Sequence, residues 1–370
     1  MIYVFYSNDP LSNDQGGGVE HFRGIYRALK ESNLEYRLIA SRMSNHTAED
    51  IAVSYISCGS NFLRYYLSLW RWFFRNKNKF TGTDVFHFHR NYAAWPKYLL
   101  ASRAGKTIIT YHGMTGYVIR EKLGMLASPV RSIMKSLERQ SLKRADQIIF
   151  VSERDRQDMC KTLLGDNFNK SVIIPAAFDE TIFSGFNQPP LELQGKVLIL
   201  GRISNIKNIP LAIDAITEVC RRGNIMQLTI AGDGEERYAV AQYAHQSEYA
   251  KNIKLIGKVE HEEIPDLMMA HGIVLLTSRS EASPTVVKEA IAACRPVVTT
   301  DVGDVGLWVR NDINGFICDA SAESLADGLE KANALIQRQC YDQAIGLDEL
   351  SEKNIMSKVL QCYSATCNDS

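Results

Sequence analysis

Short apolar runs recur along this 370-residue chain, each closed by a polar or glycine-rich turn and followed by apolar residues at helical spacing. Residues 2–6, 108–112, 198–200, 228–231, 253–257 and 272–277 read as strands in this pattern. The stretches opening near Gly16, Asn208 and Pro284 read as helices with a buried stripe. Strands alternating with helices predict parallel α/β sheets. A chain of 41.6 kDa exceeds what one core usually supports, so two domains are expected. The turn-rich segment Ser184-Gly-Phe-Asn-Gln-Pro-Pro190 places the division, giving domains 1–184 and 185–349.

Several turns carry chemistry. After the run 272–277 comes Glu281-Ala282-Ser283-Pro284-Thr285-Val-Val-Lys-Glu289, a loop leading into a helix. Ser283 is expected to cap that helix, with Pro284 at its first position, where a missing N–H costs nothing. The free amides of such a helix start attract a phosphate or a polar sugar. Glu281 in the loop and Glu289 inside the helix then address different parts of one elongated, polar, anionic ligand. Gly201-Arg202 and Lys207-Asn208 follow the strand 198–200, and Gly16-Gly17-Gly18 follows the first strand. Those glycines let backbone amides approach a ligand. His112 ends the strand 108–112, and Val259 lies just beyond 253–257.

In this order the motifs resemble the family 4 glycosyltransferases, whose signature is E-x7-E in a strand-loop-helix; Glu281 and Glu289 have that spacing. The glycines common after the first glutamate are replaced here by Ala282 and Pro284. The resemblance covers nearly the whole chain and implies the GT-B architecture, two facing Rossmann-like domains with an interdomain cleft. It also implies a C-terminal helix, about 350–370, that packs back on the first domain. By resemblance Arg202 and Lys207 hold the donor diphosphate, whose negative charge grows as the C–O bond breaks. Glu289 takes the ribose, and Glu281 with the following Ala282, Ser283, Pro284 and Thr285 positions the sugar. The stretch reaching Val259 holds the base, the loop Gly16, Gly17, Gly18 lies near the diphosphate, and His112 lies beside the reacting sugar. In 173–183 the family's usual Pro-Asn-Gly-Val-Asp is absent, so only a structural turn is carried over.

Net charge is zero, but the first 190 residues carry +8 and the remainder −8. Residues 60–145 hold 16 basic and 3 acidic side chains. Within them, Arg64, Ser68, Arg71 and Arg75 form a narrow polar stripe on an otherwise aromatic and aliphatic helix. One reading is an interfacial helix, with arginines at anionic head groups and Trp70 and Trp72 as anchors. The other is a core helix with an exposed arginine stripe. The segment is too short and too charged to span a bilayer, and no nucleic-acid-binding motif accompanies the basic patch.

Eight cysteines without a C-x-x-C pair, and no signal peptide before the first strand, predict a cytoplasmic protein with reduced thiols, peripheral at most to the inner membrane face. The sequon Asn45-His-Thr47 carries little weight in that setting. No D-x-D triplet occurs, so no metal and no other cofactor is expected, and cationic side chains must stabilise the leaving group. His87 and His89 share one strand face, and without a third ligand of suitable spacing they read as packing or acceptor contacts.

The expected protein is a retaining, metal-independent hexosyltransferase. It moves sugar from a nucleotide-sugar donor, UDP before GDP-mannose, to a glycan or lipid-linked acceptor in bacterial surface polysaccharide such as lipopolysaccharide. A nucleotide-sugar epimerase of the same fold and a catalytically silent sugar-nucleotide-binding scaffold are the alternatives.

Overall fold

The computed structural model describes residues 1–12, 17–42, 50–59, 61–112, 127–165, 169–183, 187–338, 349 and 351–368. Gly16 and the sequon 45–47 lie outside them. The chain divides between Ala176 and Ala177 into two compact units, and from Lys353 onward it rejoins the first.

The first unit is built on β1 (Ile2–Phe5), β2 (Tyr36–Arg42), β3 (Val53–Cys58), β4 (Val85–Phe88), β5 (Lys106–Tyr111), β6 (Gln147–Phe150) and β7 (Ser171–Ile173). All pair in parallel, in the order β3-β2-β1-β4-β5-β6-β7. The crossovers include α1 (Gly17–Glu31), α2 (Phe62–Asn76), α3 (Trp95–Leu100), α4 (Ala127–Arg144) and α5 (Glu153–Met159). Strand alternation sorts the faces of β4. Phe86 and Phe88 enter an aromatic core with Phe5, Tyr65, Leu69 and Phe73, while His87 and the following His89 point to the other face.

α2 is capped by Asn61, whose side chain accepts from Arg64 N at 3.1 Å. Its aromatic face is core: Trp72 packs edge-on against Tyr3, Phe5 and Phe73. Of the two readings the sequence left open, Trp72 takes the packed one on this face of the helix. Strands upstream and downstream supply its partners, and that pairing is invisible in the helix itself. The exposed face carries Arg64, Arg71 and Arg75, joined by Leu63, Leu67 and Phe74.

In the second unit β8 (Lys196–Leu200), β9 (Gln227–Ala231), β10 (Ile253–Gly257), β11 (Ile273–Leu276), β12 (Val297–Thr300) and β13 (Gly315–Cys318) pair in parallel, in the order β10-β9-β8-β11-β12-β13. Its helices include α6 (Ile209–Arg221), α7 (Arg237–Gln246), α8 (Ile264–Met269), α9 (Thr285–Ala292), α10 (Val305–Trp308) and α11 (Ala322–Arg338). Both sheet faces are covered. Ile273 and Leu275 join one core with α6 and α11, and Val274 and Leu276 join another with α9. This explains the unbroken apolar runs of β8 and β11, which a half-exposed sheet would not need. Both units show the reversal of strand order typical of Rossmann-like sheets, at β1/β4 and at β8/β11. Ligands bind beyond the carboxyl ends of strands at such a switch point.

The last helix, α12 (Glu352–Asn368), belongs to the first unit from Lys353 onward. Ile355, Met356, Val359 and Tyr363 are buried, and Tyr363 Oη meets His87 Nδ1 at 2.7 Å.

Candidate active site

At the switch point of the second unit, two loops meet. After β8 the chain turns through Gly201, at φ 144°, and Gly232 after β9 lies against it. A Cβ on Gly232 would fall 1.8 Å from the Gly201 carbonyl, so only glycine permits this approach. Arg202 emerges here, 73% exposed, and its guanidinium donates to Glu235 at 3.0 Å. A one-turn 3₁₀ segment, Asn205–Lys207, and the left-handed Asn208 (φ 50°) then lead into α6.

The loop after β11 clasps this turn. Thr277 Oγ1 donates to the Lys207 carbonyl at 3.0 Å, Arg279 N donates to the Ile206 carbonyl at 2.8 Å, and the Arg279 guanidinium donates to Asn205 and Asn208. Lys207 Nζ reaches Glu281 Oε1 at 2.6 Å, and Ser278 Oγ donates to the same oxygen at 2.8 Å. Gly201, Arg202, Lys207 and Thr277 line one small hollow at the strand ends. The structure thus brings together Arg202, Lys207 and Glu281. Arg279 was missed in the sequence, because nothing local marks its two asparagine partners.

The start of α9 differs from expectation. Pro284 is the N-cap (φ −70°, ψ 110°), the helix begins at Thr285, and Ser283 does not cap it. Ser283 is instead held sideways, donating to Asp304 Oδ2 at 2.6 Å and accepting from Lys288 Nζ at 2.6 Å. Lys288 is fully buried, 3.5 Å from Asp304, with its ammonium over the Trp308 ring. Loss of hydration lowers its pKa, against the pull of Asp304 and Glu289. Gly303 (φ 54°) seals the arrangement, since a Cβ there would fall 2.4 Å from the Ala282 carbonyl. The glycines missing at Ala282 and Pro284 are replaced by this brace from below. Glu289 is buried within α9, and the Val259 side chain belongs to the core beyond β10.

Gly17 and Gly18 belong to α1 rather than to a loop before it. A Cβ on Gly18 would fall 2.7 Å from Tyr6 Oη. His112 follows β5, half-buried, with Nε2 3.0 Å from His89 Nδ1. His21 of α1 lies edge-on to both rings, at 5.6 Å from His112 and 5.7 Å from His89. His87 is locked by Tyr363 and by Thr110 Oγ1, 2.7 Å from its Nε2. Burial, helped by His21, Arg90 and His87, holds His112 well below the usual range, and burial pushes His87 down to about 3. Burial thus shifts His87, His89 and His112 towards the neutral form. Four imidazoles gather here: His89 bonds to His112, His87 bonds to two hydroxyls, and His21 packs edge-on against the pair. Among the described residues no group of three His, Cys, Asp or Glu side chains is placed to hold a metal ion.

Two Rossmann-like units, one bearing basic side chains at its switch point, define the GT-B class of glycosyltransferase fold. Sucrose-phosphate synthase from Thermosynechococcus elongatus matches over 100% of this chain and 99% of its own at a TM-score of 0.83, with 17% identity. Anabaena HepE, solved with UDP-glucose, matches over 98% and 99% at a TM-score of 0.70, with 16% identity. In sequence, residues 15–181 match the model for Glycosyltransferase Family 4 and residues 186–338 that for Glycosyl transferases group 1, and the chain belongs to the family 4-type glycosyltransferases. Among curated proteins it is 24% identical to the alpha-D-kanosaminyltransferase of Streptomyces kanamyceticus over 65% of this chain and 64% of that protein. It is 25% identical to one subunit of the human phosphatidylinositol N-acetylglucosaminyltransferase over 67% and 49%. The chain thus spans about half to two thirds of the length of these relatives.

Proposed function

We propose that this protein is a retaining glycosyltransferase that moves a hexose from a nucleotide sugar, a UDP-sugar before GDP-mannose, to a glycan or lipid-linked glycan of a bacterial surface polysaccharide. The observation that carries the reading is that Arg202 and Lys207 line one hollow at the carboxyl ends of β8 and β11, with Glu281 bonded to Lys207. In this reading Arg202 forks two phosphate oxygens and Lys207, already oriented by Glu281, adds a point charge. The anomeric C–O bond to the β-phosphate breaks, the acceptor oxygen bonds to the same face of the sugar, and the acceptor proton passes to the departing phosphate. Glu289 binds the ribose, the backbone at Val259 the base, and Gly16 with Gly17 and Gly18 at the start of α1 the diphosphate. Glu281 and the amides of Ala282, Ser283 and Thr285 position the sugar, with Pro284 shaping the turn and His112 beside the ring. No metal has a part in these steps, because the two cations carry the leaving-group charge.

UDP is favoured because HepE is solved with UDP-glucose. A lipid-linked acceptor is favoured because a curated relative is named for phosphatidylinositol. The exposed face of α2 also sets Leu63, Leu67 and Phe74 among three arginines, which suits peripheral contact with an anionic membrane. No helix among the described residues is long and apolar enough to cross a membrane.

Thermal-shift measurements with UDP, GDP, UDP-glucose and GDP-mannose test the donor, since a ligand of the folded state raises its apparent stability. UDP and UDP-glucose are expected to stabilise. Stabilisation by the guanosine compounds alone would move the reading to a mannosyltransferase, and no shift with any of the four would end it.

A further inference from the structure

The inner face of the first sheet carries a hydrogen bond between two imidazoles, and such a bond has a direction. One ring must supply a proton to the 3.0 Å contact between His89 Nδ1 and His112 Nε2, and the other must accept it. Burial holds both groups well below their usual pKa, so each neutral ring has one proton to place. If His112 donated from Nε2, the single proton of His89 would have to sit on its own Nε2. That atom is buried and has no hydrogen-bond partner among the described residues. If His89 donates from Nδ1, its Nε2 is merely an unused acceptor. Orphaned buried N–H groups are rarer in proteins than under-used acceptors, because an unsatisfied buried donor loses its hydration with nothing in return. The second arrangement is therefore the stable one.

We propose that His89 is a positioning residue that donates its Nδ1–H to Nε2 of His112 and thereby fixes the proton of His112 on Nδ1. His112 then has no free lone pair. It meets an incoming group as a neutral hydrogen-bond donor through Nδ1, suited to an oxygen of the donor sugar and unsuited to taking a proton from an acceptor hydroxyl. The surroundings keep His89 in place for this task. Its backbone N–H donates to the Phe5 carbonyl at 3.1 Å, and its ring lies 4.5 Å from that of His87, itself pinned by Tyr363 and Thr110. What His112 touches rests on the proposed function; the direction of the bond does not.

Nitrogen-15 spectra of the histidine-labelled, ligand-free protein at pH 7 read the tautomer directly. Both His89 and His112 are expected to carry their proton on Nδ1, and a proton found on Nε2 of His112 overturns the inference. Two variants extend the test: His89→Asn keeps a donor near the Nδ1 position, whereas His89→Leu removes it. With Leu, the His112 tautomer is expected to become mixed and release of UDP from UDP-glucose to fall about 10-fold, the worth of one buried hydrogen bond. With Asn, tautomer and turnover are expected to stay within about 3-fold of the parent by the same arithmetic. Equal losses in the two variants, with the His112 tautomer unchanged, also overturn it. Because the spectra need no donor, a parent protein that releases no UDP counts against the proposed function alone.

Discussion

Arg202 and Lys207 are both cations at one hollow, but their settings differ. Arg202 is 73% exposed and its partner Glu235 is 50% exposed, so that pair contributes little to stability and leaves the guanidinium available to phosphate. Lys207 is 23% exposed, tied to Glu281, and bound through its own carbonyl to Thr277. A cation held this firmly needs little reorganisation as charge develops. Lys207→Ala is expected to lower kcat/KM for the nucleotide sugar about 100-fold, roughly 3 kcal/mol of transition-state stabilisation, as checked by steady-state UDP release. Unaltered turnover in that variant would contradict the assigned role. Lys288 poses the opposite case, a fully buried charge with no access to ligand. Lys288→Ala leaves Asp304 buried without its counter-charge and is expected to destabilise the fold by about 3–5 kcal/mol in urea unfolding. The paired change Lys288→Met with Asp304→Leu is expected to cost much less.

Elements, rather than single residues, decide where these groups lie. The E-x7-E spacing was readable because it lives in one loop and one helix. The cap was not: Ser283 is a good N-cap by propensity, but Asp304, 21 residues further on, takes its hydroxyl and leaves the position to Pro284. The His89–His112 bond was equally hidden, since only the pairing of β4 with β5 brings together residues 23 apart. Backbone contacts between loops follow the same logic. Gly232→Ala would force Gly201, and with it Arg202, out of position, so a loss of UDP-induced thermal stabilisation is expected along with a lower melting temperature. In α2 the aromatic side was legible as apolar, with core and membrane interface both left open by the pattern. The exposed arginines remain to be tested: Arg64→Glu, Arg71→Glu and Arg75→Glu together are expected to abolish flotation with anionic liposomes and leave UDP binding intact. Undiminished flotation would remove the argument for α2 as the contact.

Over the whole molecule, chain length told the two domains and the alternation of strands and helices told the fold class, because parallel sheets buried on both faces demand those runs. What the sequence could not reveal is that three of the eight histidines lie together with their pKa values held down by burial. His87, His89 and His112 share one sheet face of the first unit, and burial depresses the pKa of each, to about 3 for His87. The unfolded chain takes up protons at these positions near pH 6.5, whereas the folded chain does not until far lower pH. Below about pH 6.5 the unfolded state therefore binds more protons, and stability must fall as pH falls, by roughly 1 kcal/mol per pH unit for each such histidine. His271 in the second unit, lowered mainly by burial, adds in the same direction. The carboxylates Glu20 and Asp50, whose pKa values are lowered, contribute only nearer pH 4. The window from pH 7 to pH 5 thus isolates the imidazoles. Urea unfolding followed by tryptophan fluorescence reads mainly the first unit, which holds Trp70, Trp72 and Trp95 against Trp308 in the second. The midpoint is expected to drop steeply across that window. Equal stability at pH 7 and pH 5 would mean that the imidazoles are charged, or charge freely, in the folded protein, and a cluster of like charges 4.5–5.7 Å apart in a water-poor site could not persist.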